Sequence, residues 1–301
     1  MPTISRDLRT FLIATFAINW LLALAYFLSP LDYDGYSAMI FAMAYMLVPG
    51  IVAIVIDRRA GRKVMSSLWM RFRPNWWWLF AWVIGPVLAI AALVAALLIP
   101  GIGFDPGMEA MLLEIETALG DQEGADEARE FIEQFPPWVF MLIQLGQVLV
   151  AGATINAVFG LGEELGWRGL MLRELVDQRF WKSAGYIGVV WGIWHAPLIL
   201  QGHNYPEHPI VGVAMMVVFC VLLSPLFSWV TIKCKSVIAA AIFHGTLNAS
   251  AGLSMIYLDE FIPLITGIHG LVGMAVLVVA NLLLWWLAKP RFDESVDLPF
   301  P

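Results

Sequence analysis

Two adjacent carboxylates interrupt a long apolar stretch of this sequence. Glu163 and Glu164 follow the run VLVAGATINAVFGL, and Arg168 comes four residues after Glu164. Burying an unpaired charge costs several kcal/mol, so ionisable side chains within apolar segments are rare unless they form pairs or take part in chemistry. The stretch GEELGWR therefore predicts a functional or ion-paired site.

Three further polar side chains lie inside other apolar stretches. His195 ends WGIWH, and His244 and Asn248 lie four residues apart in HGTLN, a spacing that places both on one face of a helix. A partly desolvated glutamate can take a proton from water, and a neutral histidine can hold that water. A second histidine and an amide can stabilise an oxyanion. Because neither Ser nor Cys belongs to this set, water is the expected nucleophile in hydrolysis of a peptide bond.

The same residues allow a metal-dependent alternative. Glu163, His195 and His244 could hold Zn²⁺ with an open coordination position, which leaves Glu164 as the base. The sequence contains no HExxH motif, and these ligands would come from three separate segments. We therefore expect no required cofactor and keep zinc as the alternative. The i, i+4 spacing of Glu164 and Arg168 predicts a supporting salt bridge.

Other histidines and tryptophans receive structural interpretations. His203 and His208 lie in the segment QGHNYPEHP, and His269 follows later; none of the three is assigned to the site. Trp191 and Trp194 are expected to pack, although Trp191 could form a wall of the pocket.

The segments that carry these residues are predicted to cross a membrane. The chain has 301 residues, 60% hydrophobic and 14% charged, with a mean hydropathy of +0.78, which is typical of a polytopic membrane protein. No basic face or motif indicates binding of nucleic acid. We expect an all-α fold, one integral membrane domain over 1–301 and a catalytic core over 138–257. Apolar runs of about 20 residues predict eight transmembrane helices, at 10–28, 37–56, 77–99, 138–160, 184–200, 210–232, 237–257 and 262–288.

Lysine and arginine are distributed unequally between the two sides of this layout. If the N-terminal segment is cytoplasmic, 16 of the 17 basic residues belong to inner segments, and only Arg129 lies outside. This positive-inside pattern predicts that both termini are cytoplasmic, and we expect the membrane to be a prokaryotic plasma membrane. Helical rise then places His195 and His244 about 16 and 12 Å below the inner surface. We expect them to share with Glu163 a pocket that opens to the cytoplasm.

The long segment 100–137 is acidic and has apolar residues at helical spacing. This pattern predicts one or two amphipathic helices that rest on the outer surface. The apolar stripes consist of Met108, Met111, Leu112, Ile115 and Leu119, followed by Phe131, Ile132 and Phe135.

Three short motifs, in order on adjacent apolar segments, are similar to those of one known family. EELGWR fits EExxxR, WGIWH fits an aromatic-xxx-His element, and HGTLN fits HxxxN. Over 138–257 the chain thereby resembles the CAAX prenyl endopeptidase type II and bacteriocin-processing (CPBP) family of intramembrane proteases. The resemblance implies a glutamate-dependent endopeptidase acting near the cytoplasmic face on a membrane-associated peptide or protein, similar to enzymes that trim prenylated C-termini.

The resemblance also implies a role for each motif residue. Glu163 would activate water together with His195, while His244 and Asn248 would form the oxyanion site. Glu164 and Arg168 would support them.

This sequence departs from the family pattern at one position. The second motif often begins with Phe, and here it begins with Trp191, which keeps an aromatic wall. Two other functions stay open: a non-catalytic scaffold or immunity protein with the same fold, and a transporter whose buried Glu and His residues relay protons.

Overall fold

The chain is a bundle of α-helices. A computed structural model describes residues 5–31, 36–113 and 122–292, and within these ranges extended pairing is limited to a single bridge between Phe104 and Leu258. The helices are α1 Arg6–Phe27, α2 Tyr36–Arg59, α3 Val64–Ser67, α4 Trp76–Ala96, α5 Gln122–Glu133, α6 Pro137–Glu174, α7 Phe180–Trp194, α8 Ala196–Ile199, α9 Pro209–Cys234, α10 Val237–Ser250, α11 Leu253–Tyr257 and α12 Leu271–Ala288.

Seven segments of the described chain are helical, long and apolar enough to cross a membrane. The fold is therefore the predicted polytopic all-α membrane fold, but the count of eight spans is not confirmed. The predicted span 184–200 falls on two shorter helices, because α7 ends at Trp194 and α8 begins at Ala196. The last span begins at Leu271, nine residues later than expected, after turns that contain Pro263 and Gly267.

Helix α6 is much longer than a bilayer crossing requires. It runs for 38 residues and carries both glutamates in its second half. Its hydrogen bonding widens to π-helical turns at Gly152–Asn156 and again at Leu165–Met171, directly after Glu164. Such π turns occur frequently at functional sites. Residues 162–172 of this helix are all buried, so the glutamates lie inside the bundle.

One end of the bundle, which we call the basic end, collects residues 5–9, 57–75, 173–182, 233–236 and 289–292. Side chains join these segments: Ser5 Oγ donates to Glu174 Oε2 at 2.6 Å, and Asn75 Nδ2 donates to the Lys233 carbonyl at 3.2 Å. Phe180 packs on Phe292 with ring centroids 5.7 Å apart. The predicted clustering of basic segments on one side is thus present.

The basic end is also where three spanning helices begin. The side chains of Ser5, Asn75 and Ser236 accept hydrogen bonds from the first-turn amides of α1, α4 and α10. These are residue types that favour the N-cap position because their side-chain oxygens satisfy otherwise unpaired N–H groups. Local sequence therefore determines where these helices start.

The opposite end, which we call the loop end, holds residues 97–105, 200–208 and 258–270. The Asp105 amide donates to the Tyr257 carbonyl at 2.9 Å, and the Tyr205 hydroxyl donates to the His269 carbonyl at 2.8 Å. These contacts tie the connections into one layer, which also includes the beginning of α6.

The segment 100–137 differs in part from its prediction. Met108 and Leu112 are fully buried and pack with Tyr257 and Leu258, so this stripe faces the bundle and does not rest on a surface. The second stripe lies on and after α5, where Phe131 is 53% exposed. Ile115 and Leu119 lie outside the described residues.

Candidate active site

All four predicted catalytic side chains line one cavity of about 300 Å³. Glu163 comes from α6, His195 from the break between α7 and α8, and His244 and Asn248 from α10. The other lining residues are Ala42, Tyr45, Met46, Trp191, Trp194, Leu198, His203, Asn204, Met216, Phe219, Cys220, Leu223, Leu247, Ala251 and His269. The structure therefore brings the three motifs together.

Glycine allows the helices of the site to approach closely. A Cβ atom on Gly162 would lie 2.7 Å from the Met46 carbonyl oxygen, and one on Gly160 would lie 3.1 Å from the His244 Cβ. The first distance is too short for any side chain, and the second requires the neighbour to shift. These two glycines, which precede the glutamates, thus set the distances from α6 to α2 and α10, as small residues do at helix interfaces in membranes.

The two oxygens of Glu163 have different surroundings. Oε2 accepts hydrogen bonds from Trp191 Nε1 at 2.7 Å and from Trp167 Nε1 at 3.3 Å. Oε1 lies 4.0 Å from His244 Nε2, which is too far for a direct hydrogen bond and suits a bridging water. The two indoles hold the carboxylate in place and leave one oxygen for chemistry.

Glu164 has the predicted partner and one that was not predicted. Arg168 Nη1 donates to both carboxylate oxygens at 3.0 Å, and His244 Nδ1 lies 2.8 Å from Oε1. The guanidinium carbon of Arg168 lies 4.6 Å from the ring centre of Trp191 and 4.5 Å from that of Phe227. Glu164 therefore orients His244, and Arg168 compensates the charge of Glu164 between two aromatic faces.

The ring of His195 is fixed through one nitrogen. Nδ1 lies 2.9 Å from the Trp191 carbonyl oxygen, which can only accept, so Nδ1 carries a proton. In the neutral ring Nε2 is then an acceptor. The adjacent Trp194 is held by a buried network in which its indole donates to Asn19 at 2.9 Å and its carbonyl accepts from the Tyr45 hydroxyl at 2.8 Å. This network fixes the end of α7 next to His195.

Two histidines without a predicted role lie at the mouth of the same cavity. His203 is exposed, while His269 is partly buried and packs on Phe219 with ring centroids 4.6 Å apart. Burial lowers the pKa of His269 to about 4, with a smaller contribution from His203, so His269 is neutral at neutral pH. His203 was expected in a loop and His269 within the last predicted span, and neither position gave a signal that the two would lie near His195.

The cavity reaches the loop end of the bundle and not the basic end. Its exposed lining residues are His203 and Asn248. Toward the basic end, Trp167, Arg168 and Leu170 have no exposed surface. Because the basic end is the predicted cytoplasmic side, this differs from the expectation of a pocket that opens to the cytoplasm.

The side chains of the cavity also bear on the metal-dependent alternative. Among the described residues, no group of three or more His, Cys, Asp or Glu side chains has an arrangement that could hold a metal ion. In the zinc set of Glu163, His195 and His244, the Nδ1 atoms of both histidines are engaged by protein oxygens. Only their Nε2 atoms could serve as ligands.

Sequence reasoning missed the residues that position the glutamates. Trp191 was expected to pack or to form a wall of the pocket and Trp167 was given no role, whereas both donate to Glu163. A tryptophan within each of the first two motifs was the available signal, but helical spacing alone could not show that the two indoles converge.

Comparison with known proteins supports the motif assignment. Residues 144–250, which contain all three motifs, match the family model described as Type II CAAX prenyl endopeptidase Rce1-like. The chain is similar to CAAX prenyl protease 2 of Methanococcus maripaludis, with 32% identity over 155 residues, which are 49% of this chain and 51% of that relative. The chain thus matches about half the length of this relative. The resemblance predicted from the motifs is confirmed, and the similarity to the Rce1-like family of type II CAAX prenyl endopeptidases covers residues 144–250.

Proposed function

We propose that the protein is an intramembrane endopeptidase that hydrolyses a peptide bond of a membrane-associated peptide or protein with water activated by Glu163. The observation that carries the proposal is the free Oε1 atom of Glu163, which faces His244 across a gap of 4.0 Å inside the cavity. A water molecule in this gap would be within reach of both groups. The match to the Rce1-like family supports the same reaction class.

The charges of the buried cluster favour a protonated His244. Glu163 and Glu164 contribute two negative charges and Arg168 one positive charge, and all three side chains are at most 2% exposed. Buried charge is costly unless it is compensated, and an imidazolium at His244 makes the group neutral. Its Nδ1–H then donates to Glu164, and its Nε2–H can donate to an oxyanion.

His195 and Asn248 complete the site from the other side of the cavity. With Nδ1–H bound to the Trp191 carbonyl, His195 Nε2 can accept a hydrogen bond from the water. The amide of Asn248 is exposed at the mouth and lies one helical turn from His244. A substrate carbonyl can therefore receive donors from both residues of the third motif.

The proposed hydrolysis forms no covalent bond between the enzyme and the substrate. Glu163 Oε1 takes a proton as the water oxygen attacks the carbonyl carbon, and the resulting oxyanion accepts hydrogen bonds from His244 and Asn248. When the C–N bond breaks, the leaving amine takes the proton from Glu163. The carboxylate is thereby restored for the next cycle.

The proposal also includes the orientation of the protein in the membrane, the absence of a required metal and the class of substrate. The basic end lies on the cytoplasmic side of a prokaryotic plasma membrane, because 16 of the 17 basic residues belong to segments at or near that end. The reaction needs no metal, since one carboxylate and two histidines supply the base and the donors. Peptide segments held in the bilayer are the substrate class, and a prenylated CAAX peptide is the first probe because of the relative's name.

The test compares Glu163→Gln with wild type in proteoliposomes. Gln keeps the volume and can still accept from the indoles, but it cannot take a proton, so we expect at least a ~100-fold loss of hydrolysis with unchanged thermal unfolding. Glu207→Gln is the matched control, because Glu207 is exposed and outside the cavity lining. It should retain full activity.

The readout has two parts. Hydrolysis of the prenylated peptide is followed directly, and new termini of membrane proteins from cells with wild type or Glu163→Gln are identified by mass spectrometry. If Glu163→Gln hydrolyses the peptide as fast as wild type, Glu163 is not the base. If wild type shows no hydrolysis in either assay, the result favours the non-catalytic scaffold or immunity protein. A chelator should leave the rate unchanged; inhibition reversed by zinc supports the metal-dependent alternative.

A further inference from the structure

Another cavity lies at the basic end of the bundle, apart from the site that contains Glu163. It has a volume of about 960 Å³ and forms a groove between the start of α1, the end of α6 and the first turns of α7. We propose that this groove binds an anionic phospholipid, with its phosphate beside Lys182 and an acyl chain along α7. Binding of such a lipid requires neither hydrolysis at Glu163 nor a particular orientation of the chain in the membrane.

The walls of the groove are two helices that run in the same direction. Asn19 lies about 21 Å beyond Ser5 along α1, and Trp194 lies about 21 Å beyond Phe180 along α7. The Trp194 indole donates to Asn19 at 2.9 Å, so the two helices meet at that depth. The groove lies between this contact and the basic end.

The deeper part of the groove is apolar. Trp181, Gly185 and Val189 follow one another at four-residue intervals on one face of α7, and Leu8 faces them from α1. Val189 is 40% exposed, and a Cβ atom added to Gly185 would meet nothing within 4 Å. Because this face belongs to an apolar helix of a membrane protein, hydrocarbon is the medium that suits the open space.

Two arginines at the polar end of the groove are already compensated by carboxylates. Arg62 forms ion pairs with Asp7 and with Asp57, the latter at 2.8 Å, and Arg173 forms ion pairs with Asp57 and Glu174 at 3.0 Å. This network joins the segments of the basic end. It provides a fixed polar rim, but its cations are not available as the main partner of a ligand.

Lys182 is the cation of the rim with an uncharged partner. Its Nζ donates to Gln178 Oε1 at 2.9 Å, and an ammonium group has three N–H donors, so further donors can bind phosphate oxygens. Asp177 also lies on the rim, but the five segments of the basic end together contain 15 Lys and Arg and only 4 Asp and Glu. Such an excess of basic residues at the end of spanning helices attracts anionic lipids.

The distance between the polar and apolar parts favours a lipid over a free phosphate ion. Val189 lies about 10 Å deeper along α7 than Lys182, and both line the same groove. Tyr186 lies between them and is 39% exposed, and tyrosine is a residue type that is enriched where headgroups meet acyl chains. One amphiphilic molecule therefore satisfies both parts of the groove.

The experiment measures lipid binding by the full chain in detergent. The protein is titrated with dioleoyl phosphatidylglycerol, with dioleoyl phosphatidylcholine or with inorganic phosphate, and thermal unfolding and native mass spectrometry are recorded. We expect phosphatidylglycerol to be retained and to raise the unfolding temperature, since a ligand that binds the native state stabilises it. Phosphatidylcholine and inorganic phosphate should give neither effect.

Gly185→Leu should close the groove to the lipid. The open space around Gly185 accepts a side chain, and leucine favours a helix interior more than glycine does, so the variant without lipid should unfold no earlier than wild type. It should lose both the retention of phosphatidylglycerol and the rise in unfolding temperature. Gly146→Leu is the matched control, because a Cβ atom on Gly146 in α6 also meets nothing within 4 Å, and it should respond like wild type.

Lys182→Gln should weaken binding without closing the groove. We expect half-maximal stabilisation at a roughly fivefold higher concentration of phosphatidylglycerol, as for loss of one basic residue near an anionic headgroup. Lys289→Gln is the matched control, because Lys289 is exposed at the same end but outside the lining of the groove. It should leave the concentration unchanged.

Four results would overturn the lipid site. Equal stabilisation by phosphatidylcholine would show that the groove does not select a negative headgroup, and equal stabilisation by inorganic phosphate would show that it takes a soluble anion. Retention of phosphatidylglycerol by Gly185→Leu would place the lipid elsewhere. Equal weakening by Lys182→Gln and Lys289→Gln would reveal only a general attraction to the basic end. Because no readout depends on hydrolysis, failure of the proposed protease activity would leave the lipid site intact.

Discussion

Charged side chains are buried both at the basic end and on the cavity floor, but their hydrogen-bonding capacity is used differently. At the basic end, Asp57 accepts from Arg62 through Oδ1 at 2.8 Å and from Arg173 through Oδ2 at 3.0 Å. On the floor, Glu163 binds two indoles through one oxygen and keeps the other 4.0 Å from His244. Under the proposed function, burial alone does not distinguish a structural carboxylate from a reactive one, whereas an oxygen without a close donor does.

Glu164 belongs with the structural carboxylates although it is adjacent to Glu163. Both of its oxygens accept from Arg168, and Oε1 also contacts His244. The two neighbours in the sequence therefore differ in their hydrogen-bond partners, and the proposed function gives them different roles.

Glu164→Ala should destabilise the fold. It leaves the fully buried Arg168 without its carboxylate, and breaking a buried ion pair by removing one partner costs about 3–5 kcal/mol. Thermal unfolding in detergent measures the loss, with Glu163→Gln as the matched control that should unfold like wild type. Equal melting of Glu164→Ala and wild type would show that Arg168 does not depend on this pair.

Asp57→Asn should reduce stability and leave catalysis unchanged. Hydrogen bonds to charged groups contribute about 1.5–3 kcal/mol, and Arg173 keeps Ser67 and Glu174 as partners, so we expect a loss near the lower value. Hydrolysis per folded molecule should equal that of wild type. A selective loss of rate would mean that the basic end is coupled to the cavity, against the separation described above.

Trp191→Phe should lower the rate of hydrolysis. Phenylalanine keeps the aromatic wall but cannot donate to Glu163, and loss of one such hydrogen bond of about 1.5 kcal/mol corresponds to roughly a tenfold lower rate. Because the charged carboxylate loses a donor, the acid limb of the pH–rate profile should move to higher pH.

Trp167→Phe is the matched variant for this comparison. Its indole donates to the same oxygen at 3.3 Å, compared with 2.7 Å for Trp191, so its effect on rate and profile should be smaller. Identical profiles for wild type and Trp191→Phe would show that the indole only packs. The position at which this chain departs from the family pattern would then have no influence on the base.

Much of the site could be predicted because polar residues are conspicuous in apolar helices. Burial of Glu163, His195 and His244 carries a free-energy cost, and the i, i+4 spacings of Glu164 with Arg168 and of His244 with Asn248 fix relative directions within one helix. The indole donors could not be predicted in the same way. Tryptophan is common in packed membrane helices, and its N–H direction depends on which helices meet.

The number of spanning helices and the residues at the opening of the cavity also could not be predicted from local sequence. Hydropathy detects the apolar segment 184–200 but not the break at His195, which interrupts the helix without a polar residue cluster. Residues 201–208 read as an ordinary connection and residues 262–270 as part of the last span, yet His203 and His269 line the cavity. Long-range packing brings them there, and no local pattern records it.

The sequence by itself determined the apolar helices, the clustering of basic residues and the three motifs, because each depends on composition or on spacing within one segment. Tertiary structure alone decided which oxygen of Glu163 stays free, that Glu164 orients His244, and that the cavity opens at the loop end. Those features depend on distances between side chains from different helices. Such distances are set when the glycines of α6 let α2 and α10 approach it.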